Sequence, residues 1–352
     1  MQFPSDNWSG VHPKIMDAIL AANQGSVPAY GGDDLTERAR QLFCDIFERD
    51  CAVFFVATGS AANGLALSQI VPPYGGILCS DVSHINIDEP GTVEFFTGGA
   101  RLIPIASEAG KITPDQIHAE MRFYNPPEQR RVKASALSVT QGTESGTVYS
   151  ISELGDLCEA AKSRGLKVHM DGARFANAMV HLGRSPADAT WKAGVDVLCF
   201  GATKNGAMAA EAVVFFNPQQ AEEFGSRLSR AGQVFSKNRF IAAQWVALLT
   251  DNLWLDMATQ ANAAATSLAA GIASMKGCEV VWPTQINEVF ANLPDGVAEQ
   301  MRQEGARFHD WLYPGDKWNG NLQRMVTNFS TSDEEVDALL RKLELLLVQL
   351  EL

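Results

Sequence analysis

Short apolar runs, separated by stretches with helical character, constrain this chain more than any other feature of its sequence. Six of them stand out, at residues 52–56, 76–79, 134–139, 167–170, 195–200 and 212–216. Each has the length of a strand covered on both faces, and the alternation with helix-like segments predicts an α/β architecture. Residues 64–70 read as the start of the helix after the first run. Residues 151–164 read as a helix capped by Ser152 and stopped by Gly165. Beyond Phe235 the strand signal fades, and two alanine-rich helices are expected at 240–250 and 255–275. A smaller α+β unit follows, built from Val280-Val281-Trp282, Glu288-Val289-Phe290-Ala291, Gln323-Arg324-Met325-Val326 and a closing helix over 333–350. A boundary near residue 250 therefore divides the chain into a large domain, 1–250, and a small one, 251–352. Residues 124–131, rich in Pro and charge, are predicted to form an exposed loop.

Composition narrows the function. A formal net charge of −13, with no basic stripe, argues against a phosphate-backbone binder. The apolar run Cys51-Ala52-Val53-Phe54-Phe55-Val56-Ala57 falls far below the ~20 residues a membrane-spanning helix needs. The first eight residues lack the charged and apolar regions of a secretory signal. The six cysteines are scattered with no Cys-x-x-Cys pair, which reads as reduced thiols in a soluble, cytoplasmic protein. No metal is expected.

Three strand ends carry chemistry. The first run ends in Ala57-Thr58-Gly59-Ser60-Ala61-Ala62-Asn63-Gly64, small and polar residues that open a helix. Exposed amides and the positive end of the helix dipole favour an anion there, although a plain strand-to-helix turn would use similar residues. The sequence has neither Gly-x-x-x-x-Gly-Lys-[Ser/Thr] nor Gly-x-Gly-x-x-Gly, so the two common nucleotide readings fall away. The fourth run ends in His169-Met170-Asp171-Gly172-Ala173-Arg174, an acid at the edge where open α/β sheets bind ligands. A carboxylate there could hold a pyridinium nitrogen in its protonated form, or simply cap the next helix. The fifth run ends in Gly201-Ala202-Thr203-Lys204, a lysine placed to act as a nucleophilic amine rather than as one more surface charge.

Taken together with Ser5-Asp6, Tyr30-Gly31-Gly32-Asp33-Asp34 and the segment from His84 to Glu89, these pieces resemble the threonine aldolase family over nearly the whole chain. That group sits beside the β-eliminating lyases within the aspartate-aminotransferase fold type of pyridoxal-phosphate enzymes. The resemblance implies the PLP-dependent transferase fold (fold type I), with a mostly parallel seven-stranded sheet and a small α+β domain. It implies that Lys204 carries pyridoxal 5'-phosphate, that Asp171 pairs with the ring nitrogen, and that Thr58, Gly59 and Ser60 take the phosphate. His84 matches the residue that stacks on the ring and assists proton transfer; a packed structural histidine is its alternative. Ser5, Tyr30, Arg174 and Arg324 match substrate-binding positions, where arginine's planar fork suits a carboxylate.

Two departures from the family pattern stand out. Where many members place a histidine near the substrate hydroxyl, this chain reads Thr140-Gln141-Gly142-Thr143-Glu144-Ser145-Gly146-Thr147-Val148, so Glu144 takes that position. The family's phosphate-contacting arginine is replaced by Lys237, which reaches a neighbouring subunit in this reading. The implied reaction is retro-aldol cleavage of an L-β-hydroxy-α-amino acid to glycine and an aldehyde, in a homo-oligomer built as a dimer of dimers. A β-eliminating lyase, an aminotransferase and a noncatalytic cofactor-binding regulator are the rival readings.

Overall fold

The computed structural model describes residues 1–127, 130–315 and 320–349. Within the expected 124–131 loop, Glu128 and Gln129 lie outside the described residues, as does Leu350 at the end of the closing helix.

Seven strands form the main sheet: β1 (Ala52–Val56), β2 (Gly75–Ser80), β3 (Arg101–Ile105), β4 (Lys133–Thr140), β5 (Lys167–Gly172), β6 (Val197–Gly201) and β7 (Glu211–Phe215). Their order is β1-β7-β6-β5-β4-β2-β3. β7 pairs antiparallel with both neighbours, and every other pairing is parallel. β3 is absent from the sequence reading. It lies at the sheet edge, carries Pro104 and leaves Arg101 exposed, so its apolar signal is diluted in the way an edge strand allows.

Side chains alternate across the sheet, as the period of two requires. Leu198 and Phe200 enter a large core with Phe43, Phe47, Phe175, Trp245 and Trp254, while Val197 and Cys199 face the helix Gly59–Ile70. In the large core, Phe43 lies 4.8 Å from Trp245 and Phe200 lies 5.0 Å from Phe175, at the angles aromatic edges prefer. Two helix starts differ from expectation. The helix after β1 begins at Gly59, because Thr58 caps it by accepting from the Ala61 amide. The helix Ile151–Lys162 is capped by Ser150, not Ser152, with Glu153 closing a reciprocal capping box.

The second sheet comprises β8 (Glu279–Val280), β9 (Glu288–Asn292), β10 (His309–Asp310) and β11 (Leu322–Val326), in the order β10-β11-β9-β8 and antiparallel throughout. It packs on the helices Leu253–Ala273 and Asp333–Gln349. The amino terminus joins this unit. Phe3 is fully buried in its core, and the Val326 amide donates to the Phe3 carbonyl at 2.8 Å. Three residues later the chain delivers Asp6 to the edge of the main sheet. All six cysteines are free, and Cys44 and Cys51 face each other with sulfurs 3.5 Å apart, a proximity their sequence spacing does not announce. Among the described residues no helix is long and apolar enough to cross a membrane.

Candidate active site

Parallel strands deliver their following loops to one edge, and here five loops converge. β1 leads to Thr58, β2 to His84, β4 to Glu144, β5 to Asp171 and Arg174, and β6 to Lys204. β7 runs the other way and so begins at this edge with Glu211. Gly59, Asn63, His84, Thr140, Glu144, Asp171, Arg174 and Lys204 line a cavity of about 60 Å³. It adjoins a second, of about 310 Å³, walled by Asn7, Thr58, Gly59, Ser60, His84, Ala173, Thr203, Lys204 and Glu211. Gly59, His84, Ala173 and Lys204 belong to both.

Asp171 is buried at the floor. Its Oδ2 accepts from Asn63 Nδ2 at 2.7 Å and its Oδ1 from the Ala173 amide at 2.9 Å. The same Asn63 nitrogen donates to Glu89 Oε1 at 3.0 Å, and Glu89 Oε1 lies 2.9 Å from His84 Nδ1. His84 therefore leans on a buried carboxylate. That hydrogen bond raises its pKa against the opposing effect of burial, with the negative charge of Asp171 adding to the rise.

Glu144 is pinned from two sides. The His84 backbone amide donates to its Oε1 at 2.9 Å, and the Thr140 hydroxyl donates to the same atom at 2.8 Å. Its Oε2 is buried with no hydrogen-bond partner. Burial, with Asp171 as a like charge nearby, pushes this carboxyl up to about 7. A carboxyl in that range carries a proton for much of its time at neutral pH and can donate as well as accept.

The two arginines meet at Glu288. Arg174 Nε donates to Asp6 Oδ2 at 2.8 Å and its Nη2 to Asp6 Oδ1 at 3.1 Å, while Nη2 also lies 3.4 Å from Glu288 Oε1. Arg324 Nη1 is 4.0 Å from the same Glu288 oxygen, its guanidinium lies 4.5 Å over the Trp311 ring, and its Nε is buried without a partner. Burial opposes the charge on Arg174, yet Asp6 and then Glu288 hold its pKa above the usual arginine value. Burial likewise opposes the charge on Asp6, and Arg174 followed by Lys204 holds it below the usual carboxylate range. Burial lowers Arg324, with Glu288 countering. Ser5 caps the short turn Asp6–Trp8 that carries Asp6 inward.

Four residues picked from the sequence line neither cavity: Ser5 and Arg324 flank the cluster of Asp6, Arg174 and Glu288, and two others stand elsewhere on this chain. Tyr30 and Lys237 are exposed and absent from the walls of both cavities. They sit beside one another, since the Tyr30 amide donates to the Ser236 carbonyl at 3.0 Å and Lys237 lines a groove with residues 25–29. Several residues that build the site received no role from the sequence: Asp6, Asn63, Glu89, Glu211, Glu288 and Asn287, whose side-chain amide donates to Asp6 Oδ2 at 3.1 Å. A signal existed for some. Asn63 interrupts an otherwise small and apolar helix face, and Glu211 and Glu288 each open an apolar strand. A polar side chain in such a place needs a buried partner.

The residues suit pyridoxal phosphate. Asp171 is a buried acceptor whose partners, Asn63 and the Ala173 amide, are neutral donors, which favours a protonated ring nitrogen beside it. Lys204 offers an amine on the shared wall of both cavities. The first-turn amides of the helix Gly59–Ile70 suit the phosphate, and a side chain added at Gly59 would meet no atom within 4 Å, so the backbone is open to approach. Among the described residues no group of three or more His, Cys, Asp or Glu is arranged to hold a metal.

This sheet order, with one reversed strand and a small antiparallel sheet beside it, is the fold of the pyridoxal-phosphate enzymes of fold type I. The sequence profile of the beta-eliminating lyase family matches residues 2–295. A low specificity L-threonine aldolase of Pseudomonas aeruginosa is 42% identical over 98% of both chains, and one from another Pseudomonas strain is 44% identical over 89% of this chain and 90% of its own. The threonine aldolase of Leishmania major superposes with a TM-score of 0.90, at 26% identity, covering 98% of this chain and 99% of that one. The chain belongs to the beta-eliminating lyase family, in the branch that holds the threonine aldolases.

Proposed function

We propose that this protein is a carbon–carbon lyase that cleaves L-β-hydroxy-α-amino acids, such as threonine, allo-threonine or phenylserine, to glycine and an aldehyde. The observation that carries the reading is the convergence of Lys204, Asp171 and Arg174 on one cavity in a chain 42% identical, end to end, to a threonine aldolase. Thr58, Gly59, Ser60, Asp171 and Lys204 would hold pyridoxal phosphate, which when bound would supply an electron sink for cleavage at Cα.

The protein's own residues select the bond and move the proton. Arg174 and Arg324, held on Glu288, fix the substrate carboxylate with Ser5 beside them, and this orientation decides which bond at Cα aligns with the sink. His84, supported by Glu89, accepts the β-hydroxyl proton. Glu144, neutral at its unpartnered Oε2, donates a hydrogen bond to the oxygen that becomes the aldehyde. The residues around Tyr30 and Lys237 lie on one exposed surface, which supports a role across a subunit interface in a dimer of dimers. Six free thiols support a cytoplasmic setting, and the change of core between Ala258 and Ala264, inside the helix Leu253–Ala273, supports two domains that meet a little beyond residue 250, with Phe3 joining the small one.

Product analysis tests the reading. Threonine and phenylserine should each give glycine with the matching aldehyde. Pyruvate and ammonia from serine, without glycine from threonine, would move the protein to the β-eliminating lyases, and glutamate-dependent amino transfer would move it to the aminotransferases.

A further inference from the structure

Glu211 has no part in the chemistry above, yet the fold makes room for it. It faces Gly201 across the β6–β7 pairing, and a side chain built at Gly201 would put its Cβ 3.0 Å from Glu211 Oε2 and 2.9 Å from the Ala173 backbone. Glycine there lets a buried carboxylate fold back over β6. Thr203, whose hydroxyl accepts from the Ala210 amide at 3.2 Å, shares the cavity wall with the carboxylate and favours its charged form. It lines the 310 Å³ cavity together with Thr58, Gly59, Ser60 and Lys204.

A phosphate on the Thr58–Ser60 turn would thus share this cavity with the buried carboxylate. Two anions so placed cannot both keep their full charge at low cost, and the weaker acid takes a proton. The other titratable group on that wall besides Lys204 is His84, with Asp171 on β5 and the Cys199 thiol on β6 also within electrostatic reach. Lys204 favours ionised Glu211 in the cofactor-free chain, and Asp171 opposes it.

We propose that Glu211 is a cofactor-loading residue: it serves as counter-ion to Lys204 before loading and takes up one proton when the phosphorylated cofactor enters. This rests on the reading that the site holds pyridoxal phosphate. Burial already pushes the carboxyl up to about 7 in the free chain, so a further rise falls within the accessible pH range. A group that binds a proton with its ligand weakens that ligand's affinity as pH rises through the free-state value.

The test uses the full chain stripped of cofactor and titrated with pyridoxal phosphate, binding being read from the change in absorbance and protein fluorescence. Between pH 6 and 8 the wild-type dissociation constant should rise about tenfold more than that of Glu211→Gln. Calorimetry in two buffers of different ionisation heat gives a second readout that needs no variant. At pH 8 the wild type should take up about nine-tenths of a proton more with pyridoxal phosphate than with pyridoxal, which lacks the phosphate. Superimposable pH curves for wild type and variant, or equal proton uptake with the two ligands, overturn the proposal and leave the cofactor reading standing. Failure of the wild type to bind pyridoxal phosphate overturns both.

Discussion

The backbone amide of His84 donates to Glu144 Oε1 at 2.9 Å, so the loop after β2 and the loop after β4 are locked together at the mouth of the cavity. The bond leaves Oε2 of Glu144 buried and unpaired, and ties the position of one acid–base group to the protonation of another.

That buried carboxyl makes stability depend on pH with a definite sign. Glu144 holds its proton to about pH 7 in the folded chain, against an ordinary value of 4.5. Stability therefore falls as pH climbs from 4.5 to 7 and is level beyond. Glu144→Gln, which stays neutral, should be more stable than wild type at pH 8 by on the order of 3 kcal/mol and nearly equal to it at pH 4. Urea unfolding at the two pH values measures this, and an equal difference at both would contradict it. In turnover, Glu144→Gln should stay within about tenfold of wild type below pH 7, while Glu144→Ala loses about 100-fold.

Glu89 sets the acidic limb of activity. His84 must be neutral to accept a proton, and its hydrogen bond to Glu89 raises its pKa. Activity should therefore be lost as pH falls through a value above 6.5, the ordinary histidine figure. In Glu89→Gln the limb of the kcat/KM profile should move to lower pH. A limb that stays in place assigns the base to another group.

Asn63 is a positioning residue for Asp171. One amide nitrogen serves both Asp171 Oδ2 and Glu89 Oε1, so Asn63→Ala frees two buried carboxylates at once. Turnover should fall by about 10- to 100-fold, as losses behind a bound group usually do, and the visible absorbance of the bound cofactor should shift as its ring nitrogen loses its proton more readily. Asn63→Asp should be worse than Asn63→Ala, since it adds a third acid to the pair.

Arg174 separates binding from folding. Asp6 and Glu288 are each 1% exposed and both bear on this guanidinium, so Arg174→Ala leaves buried carboxylates uncompensated. A loss of about 3–5 kcal/mol in unfolding stability is expected. Arg174→Lys keeps the charge and loses the fork, so it should fold while KM for threonine rises by about 100-fold. An unchanged KM would place the substrate carboxylate elsewhere.

Much of this was legible in the sequence because the fold and the cofactor chemistry share a signal. A strand covered on both faces reads as an apolar run, and the ligand edge lies where such a run stops; Thr58, Asp171 and Lys204 each stand at one of these stops. β3 was missed because edge strands need no continuous apolar run. The partners of the reactive groups were illegible for another reason. Asp6 and Arg174, like Asn63 and Asp171, meet only after distant segments pack, and neither spacing nor local pattern encodes the match. Tyr30 and Lys237, assigned to the site through the family resemblance, lie exposed and away from both cavities of this chain, a placement their local sequence does not encode.

The most direct test of the central claim is the absorption spectrum of the purified protein with pyridoxal phosphate, followed by borohydride reduction and peptide mapping. A visible band that reduction fixes on Lys204, absent from Lys204→Ala, together with glycine and acetaldehyde from threonine, is the predicted result. No band in the wild type, or label on a lysine other than Lys204, would contradict the account.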